Sequence, residues 1–452
     1  MAWNDDYKRK VTTAADAVRC IESGMRVWIH ANSAYPQVLV DAMTERAPFL
    51  RDVEVAHLLT SGNASYTEPQ FAKSFRHNAL FMGAGIREAV NSGRADCIPI
   101  HLSEIEDLFL SGQMPIDVCM IQVSPPDSHG FCSLGVAVET TLTAAKCAHY
   151  VIAQVNDQMP RTYGNSFIHV NEIDAFVETS VPLVEAHKVE TTDVCRAIAK
   201  HAASLIDDGC TLQTGIGGIP DAILPYLMDR KDLGVHTETL GDGAIPLIEA
   251  GVINGRRKTF HPNKILLGFV LGTRKLYNFV DNNPLFEFQP NAYINDPFNV
   301  ARNDNMIAIN SAVEIDITGQ VCADSVGTKF LSGFGGQVDF IYGASRSKGG
   351  KAIIALPSTA KNDTVSRIVP MLRQGSGVVT SRAHVHYVIT EYGIAYLHGR
   401  SIRQRAEALI QIAHPKFRNE LYEYCERNNW LPARPGSKEA KAAEEAFAAS
   451  VR

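Results

Sequence analysis

The sequence predicts two tandem open, mostly parallel α/β domains of similar topology. Three observations carry that expectation. Short apolar runs alternate with amphipathic stretches along the chain, the pattern of strand–helix units on a parallel sheet. The second half repeats the style of the first. Two segments also echo each other: TTAADAVRCIESGMRVWIHANSAYPQVLVDAM (12–43) and TTDVCRAIAKHAASLIDDGCTLQTGIGGIPDAILPYL (191–227). Each runs through Thr-Thr, an amphipathic helix, Gly, a short strand, a turn, Pro and a second helix. A shorter echo pairs SHGFCSLG (128–135) with ITGQVCADSVG (317–327), each a Gly turn between strands.

Taken in order, residues 26–30, 53–60, 97–100, 118–123 and 150–155 are apolar enough for strands, with helices expected over 35–46, 85–92, 104–110 and 140–147 between them. In the second half, 211–214, 265–271, 306–310, 352–356 and 385–390 are the expected strands. At roughly 100–200 residues per domain, 452 residues allow two to four domains. The expected boundaries are 1–187 and 188–431, with 432–452 as a polar Ala/Glu/Lys-rich tail.

Apolar residues make up 45% and charged residues 20%, as in an ordinary soluble globular protein. A formal net charge of −6 argues against nucleic acid or an anionic membrane as partner. No apolar run reaches the roughly 18 residues a bilayer span needs, and the polar start MAWNDDYKRK has no secretory core. The 9 cysteines contain no C-x-x-C pair, which fits reduced thiols in a cytoplasmic protein, with no disulfide framework and no metal site. Cys132 has no base beside it and reads as a small buried hydrophobe. His384, His386 and His398 lack metal-ligand spacing and read as packing or surface residues.

Three segments can carry chemistry. In QTGIGGIPDAI (213–223) a strand ends in a glycine turn, and Pro220 opens a helix. Backbone N–H groups there can approach an anion, although neither a dinucleotide nor a P-loop fingerprint is met. In GVHTETLGDGA (234–244), His236 and Glu238 share one strand face, and Glu238 lies near the carboxyl end, where open α/β sheets bind ligands. In LSGFGGQVD (331–339), Gly333, Gly335 and Gly336 can turn N–H groups inward as a nest or oxyanion hole. Glu391 follows the strand 385–390, and PSTAKN (357–362) offers hydroxyls and the Lys361 ammonium.

Together the segments SGRADCIPIHLSEIEDLF, VSPPDSHGFCSLGVAVE, MPRTYGNSF, LQTGIGGIPDAI, VHTETLGDG, NDPFNVARNDNMIAINSAVEIDITGQV, SGFGGQVDF, PSTAK and TEYGIAYLHGR resemble the acetyl-CoA hydrolase/transferase family of class I coenzyme A transferases. The resemblance is strongest to the 4-hydroxybutyrate or butyrate CoA-transferase branch and runs in family order from about Ser92 to Arg400. It implies an active site between two α/β domains and a glutamate, Glu238, that becomes acylated and then holds CoA as a glutamyl thioester. It further implies that Gly215, Ile216, Gly217, Gly218 and Ile219 cradle CoA. Ser332, Gly333, Gly335 and Gly336 would supply oxyanion donors and CoA contacts, and Glu391 a second active-site acid. Asn295 is a candidate for holding the acyl group, with Ser33, Arg161 and Lys361 behind it. No tightly bound cofactor is implied. Acyl-CoA and short-chain carboxylates would be substrates, and the expected assembly is a homodimer or dimer of dimers. Competing readings are an acyl-CoA hydrolase on the same glutamate, a non-catalytic CoA-binding protein and a sugar-phosphate isomerase-like enzyme.

Overall fold

The computed structural model describes residues 2–186 and 190–434, with Lys441 and Ala446. The expected boundary at 187/188 and most of the expected tail lie outside the described residues.

Two sheets organise the chain. In the first half the strands are β1 (Arg26–Ile29), β2 (Val53–His57), β3 (Phe75–Ala79), β4 (Ala95–Cys97), β5 (Val118–Val123), β6 (Tyr150–Asn156) and β7 (Ala175–Thr179). They form a 7-stranded sheet in the order β4-β3-β2-β1-β5-β6-β7, every pair parallel. In the second half they are β8 (Thr211–Gln213), β9 (Gly234–Leu240), β10 (Ile265–Val270), β11 (Phe286–Phe288), β12 (Met306–Asn310), β13 (Lys351–Ala355), β14 (Tyr387–Thr390) and β15 (Gly393–Tyr396). This 8-stranded sheet runs β11-β10-β9-β8-β12-β13-β14-β15. It is parallel except for the β14–β15 hairpin at its edge.

The two orders are the same winding, so the echo of 12–43 in 191–227 is a repeat of topology. It extends to the caps. Thr13 Oγ1 accepts the Asp16 N–H before the helix Ala14–Ala17, and Thr192 Oγ1 accepts the Cys195 N–H before the helix Asp193–Ala203. The shorter echo diverges. Glu314–Asp316 and Val321–Cys322 form an antiparallel pair around Gly319, whereas Phe131–Ser133 pairs with the distant Phe167–His169.

Burial explains which strands are apolar throughout. Val118–Val123 and Ile265–Val270 are buried at every residue, because helices cover both faces of a parallel sheet. One hydrophobic cluster crosses the halves, joining Trp28 and Ile121 to Leu240 and Phe269. Backbone bonds stitch the same seam: the Val270 N–H reaches the Val136 carbonyl at 2.9 Å, the Val138 N–H reaches Gly268 at 3.0 Å, and the Phe288 N–H reaches Tyr163 at 2.8 Å. The first half therefore packs directly against β10 and β11, next to β9 and Glu238. Among the described residues no helix is long and apolar enough to cross a membrane.

Candidate active site

In each sheet the chain winds outward from its first strand on one side, then returns to the other. In the second sheet that reversal leaves a crevice at the carboxyl ends of β8 and β12, where open α/β sheets take ligands. A cavity of about 240 Å³ lies there. Gln213 and Thr214 border it from β8, Glu238 and Thr239 from β9, Asn310 and Ser311 from β12, and the loop Ser332–Gly336 closes it with Phe81.

Glu238 is partly exposed into this cavity, between the buried His236 and Thr239 of its strand. Asn295 Nδ2 donates to Glu238 Oε2 at 3.2 Å. Burial pushes the Glu238 carboxyl up to about 7; the Asn295 hydrogen bond opposes that rise and the charge of Asp339 adds to it. His236, expected on the same strand face, is fixed by two hydrogen bonds, to the Ile294 carbonyl at 2.8 Å and the Asn303 amide at 2.9 Å. It is a buried neutral packing group with its pKa held down to about 3 by burial.

The loop 332–336 lies against Glu238. A Cβ on Gly336 would fall within 2.5 Å of Glu238 Oε2 and closer still to Asn295 Nδ2. Gly336 also caps the helix Gln337–Arg346, so that helix begins at the carboxylate. Gly333 backs onto Phe81 Cα at 3.0 Å and the Leu80 carbonyl at 3.1 Å, again measured from a built Cβ. The first half holds the loop from outside: the Leu102 N–H donates to the Gly335 carbonyl at 3.2 Å, and Arg87 Nε to the Leu331 carbonyl at 2.9 Å. The N–H groups of Gly333, Phe334 and Gly336 donate to no partner among the described residues, as oxyanion donors must be free to do, whereas Gly335 is held in a parallel bridge with His101.

The glycine turn after β8 differs from expectation in one respect. Its helix spans Gly218–Ile223, so Pro220 is the third helical residue and not the first. A proline at that position is harmless because the first four N–H groups of a helix have no intrahelical acceptor. Gly215 borders the cavity, Ile219 is buried, and Ile216 stands 38% exposed beside it, so the apolar side chain at the turn faces outward.

The remaining candidates separate. Glu391 accepts the Ser358 N–H at 2.9 Å and the Ser358 hydroxyl at 2.5 Å. It follows β14, four strands from β9, which is roughly 19 Å at about 4.8 Å per strand. The structure does not bring it to Glu238. Lys361 is exposed in a run of left-handed residues, Lys361, Asn362 and Asp363, after β13. Arg161 pairs with Asp127 at 2.6 Å, and Ser33 Oγ accepts the Tyr277 hydroxyl at 2.8 Å. Both tie loops together outside the cavity.

Three cavity-side groups escaped the sequence reading. Asn310 ends β12 and donates to Gln213 Oε1 at 3.0 Å. Its signal was a polar residue at the end of the expected strand 306–310. Asp339 sits one turn into the helix after Gly336. Phe81 follows β3, a strand that went unrecognised and left no frame for its position.

Comparison with known proteins agrees with this architecture. Residues 1–185 match the acetyl-CoA hydrolase/transferase N-terminal domain and residues 272–425 the C-terminal domain of the same family. The chain is 51% identical over 421 residues to a 4-hydroxybutyrate coenzyme A transferase of Clostridium kluyveri, covering 93% of this chain and 98% of that protein. It is 47% identical over 407 residues to a succinyl-CoA:acetate/propanoyl-CoA:succinate CoA transferase of Fasciola hepatica, covering 89% and 84%. The crystal structure of RipA from Yersinia pestis superposes with a TM-score of 0.91 at 34% identity, over 95% of this chain and 100% of that one. The chain belongs to the acetyl-CoA hydrolase/transferase family.

Proposed function

We propose that this enzyme, a CoA-transferase, moves CoA between a short-chain acyl-CoA and a free carboxylate through a glutamyl-CoA thioester on Glu238. The observation that carries the reading is a single carboxylate, oriented by Asn295, in a cavity closed by a loop in which the N–H groups of Gly333, Phe334 and Gly336 are unpaired among the described residues. A carboxylate needs no general base to act as nucleophile once ionised. Glu238 attacks the thioester carbonyl carbon, and the oxygen that becomes negative meets the N–H groups of the 333–336 loop. The C–S bond breaks and CoA leaves as thiolate, giving a mixed anhydride. That thiolate attacks the Glu238 acyl carbon and expels the original acid as its carboxylate. An incoming carboxylate reverses the two steps and regenerates Glu238.

A cavity of about 240 Å³ has room for roughly eight waters at about 30 Å³ each, enough for an acyl thioester but not for the whole of CoA. The rest of CoA therefore lies along the mouth, where Gly215 lines the cavity and the turn to Ile219 leads away from it. There Gly217 holds φ +121°, a conformation that favours glycine, and a Cβ would meet nothing within 4 Å. Gly217→Val is expected to raise KM for acyl-CoA about tenfold or more, with kcat less affected, because backbone strain of about 1–3 kcal/mol reshapes the turn. A folded variant with unchanged KM assigns the turn to structure alone.

Initial rates over a grid of acyl-CoA and carboxylate concentrations test the mechanism. Parallel double-reciprocal lines are expected, since CoA is carried covalently between two half-reactions. Intersecting lines, the mark of a ternary complex, overturn it. Thioester cleavage that proceeds equally without added carboxylate makes the enzyme a hydrolase.

A further inference from the structure

Asn295 serves two acids. Its Nδ2 lies 3.2 Å from Glu238 Oε2 and 3.4 Å from Asp339 Oδ2, and its Oδ1 is buried with no hydrogen-bond partner. One amide nitrogen has two N–H bonds, so each carboxylate takes one. Neither Glu238 nor Asp339 has an ion pair among the described residues. Asp339 is held by the first half of the chain: Ser103 Oγ donates to Oδ1 at 2.8 Å and the Ser103 N–H to Oδ2 at 3.2 Å. Burial pushes the Asp339 carboxyl above its ordinary value, and those two donors oppose the rise and favour its charged form.

The other titratable groups around the pair are few. The segment carrying Ser103 brings His101, whose charge when protonated favours ionised Asp339, and Glu106, whose oxygens take the Thr143 hydroxyl and the Ala292 N–H. The segment before Asn295 brings Tyr293, bonded to His261, and β9 brings the neutral His236. The loop Ser332–Gly336 has no titratable side chain.

We propose that Asp339 is a positioning residue for the transfer reaction, a buried charge that shares the Asn295 amide with Glu238 and favours the neutral, acylated forms of Glu238 over its free carboxylate. This rests on Glu238 being the nucleophile. Forming the anhydride or the thioester removes the negative charge of Glu238, and the repulsion from Asp339 vanishes with it. The free carboxylate keeps that repulsion, so covalent capture is favoured. Because Ser103 fixes Asp339, the first half of the chain takes part in setting the reactivity of a glutamate on the second sheet.

Asp339→Asn removes the charge and keeps the planar shape. Two readouts test the proposal: the acidic limb of kcat/KM for acyl-CoA against pH, and the fraction of enzyme holding CoA that borohydride traps at equilibrium. Without the neighbouring charge Glu238 ionises more easily, so the limb should move about one unit lower and the ratio of CoA-bearing to free enzyme in the trapped sample should fall about tenfold, one unit being a factor of ten. A role confined to anchoring the helix Gln337–Arg346 would lower the melting temperature and leave both readouts in place; that result, in a folded variant, overturns the proposal. If Asp339→Asn does not fold, Ser103→Ala decides: it removes the hydroxyl donor that favours the charged form of Asp339, so both readouts should move in the same direction as in Asp339→Asn, by less. No movement of either readout in that folded variant overturns the proposal. Failure of the underlying reading looks different: the unaltered enzyme traps no CoA, or traps it on a peptide lacking Glu238.

Discussion

Glu238→Ala is expected to lower CoA-transferase turnover by on the order of 10⁴-fold or more, the scale seen when a covalent nucleophile is removed while binding survives. The enzyme given acyl-CoA without acceptor should accumulate CoA on Glu238. Borohydride then reduces that thioester to an alcohol, inactivates the enzyme and changes the mass of the peptide spanning residues 235–242. The alanine variant should show neither event. Glu238→Asp keeps the charge but withdraws the carboxylate by one methylene, over about 1 Å, and such misplacement costs about 10²-fold. It should therefore fall between the two.

Glu238→Gln adds a test in stability. The carboxyl is raised to about 7 in the fold, above its ordinary value of 4.5. Between those values the folded chain binds more protons at this site than the unfolded chain, so stability falls as pH rises through that window and the cost is complete above it. Removing the charge should raise the melting temperature at pH 8 and change it less at pH 4. A gain in stability with loss of activity marks a site held against its own folding preference. An adduct mapped to another residue, or near-normal turnover in Glu238→Ala, removes Glu238 from the mechanism. Glu391→Gln discriminates further. With Glu391 four strands away, the variant should still form the adduct, whatever it does to turnover.

What could be read in the sequence follows from how each residue is placed. Strands such as Val118–Val123 and Ile265–Val270 are buried on both faces and announce themselves as apolar runs. Phe75–Ala79, FRHNA, passes near the edge of its sheet with Arg76 exposed and His77 buried, so neither an apolar run nor a clean alternation marks it. Phe286–Phe288 is an edge strand of three residues, too short for any period. Glu238 was legible because one strand ending in a Gly-Asp-Gly turn determines where it points. Asn295, Gly336 and Ser103 meet it or its neighbour Asp339 from segments far apart in the chain, and only packing of the two halves sets those contacts. Glu391 shows the converse. Being at the end of a strand places a carboxylate on the right edge of the sheet, but strand order decides its distance, and strand order is not written locally.

Gly336→Ala is the sharpest steric test of the assembled site, and it should lower kcat by about 10²-fold or more. The backbone there has φ −94° and ψ 12°, which alanine can adopt, so no conformational strain accompanies the change. The added methyl instead falls within 2.5 Å of Glu238 Oε2 and nearer to Asn295 Nδ2, where real Cβ atoms are not found. Asn295 cannot yield freely, and the Glu238 carboxylate can do so only by leaving its place. Asn295 is fully buried and follows the short helix Asn291–Ile294, while Glu238 is fixed in β9 between two paired strands. The carboxylate must turn away from Asn295 and from the unpaired N–H groups of the loop, or the loop must lift from the carboxylate. Either movement separates nucleophile from oxyanion donors by a distance of order 1 Å, which positioning arguments equate with about 10²-fold. Overpacking of this kind also costs about 1–3 kcal/mol of stability. Adduct trapping at Glu238 should slow in proportion to kcat, while KM for acyl-CoA changes less, because the turn at Gly215–Ile219 is untouched. Gly85→Ala is the control: its Cβ would meet nothing within 4 Å, and turnover should be unchanged. Near-normal turnover in Gly336→Ala would mean that the loop and Glu238 part during catalysis, and the oxyanion role of residues 333–336 would be lost with it.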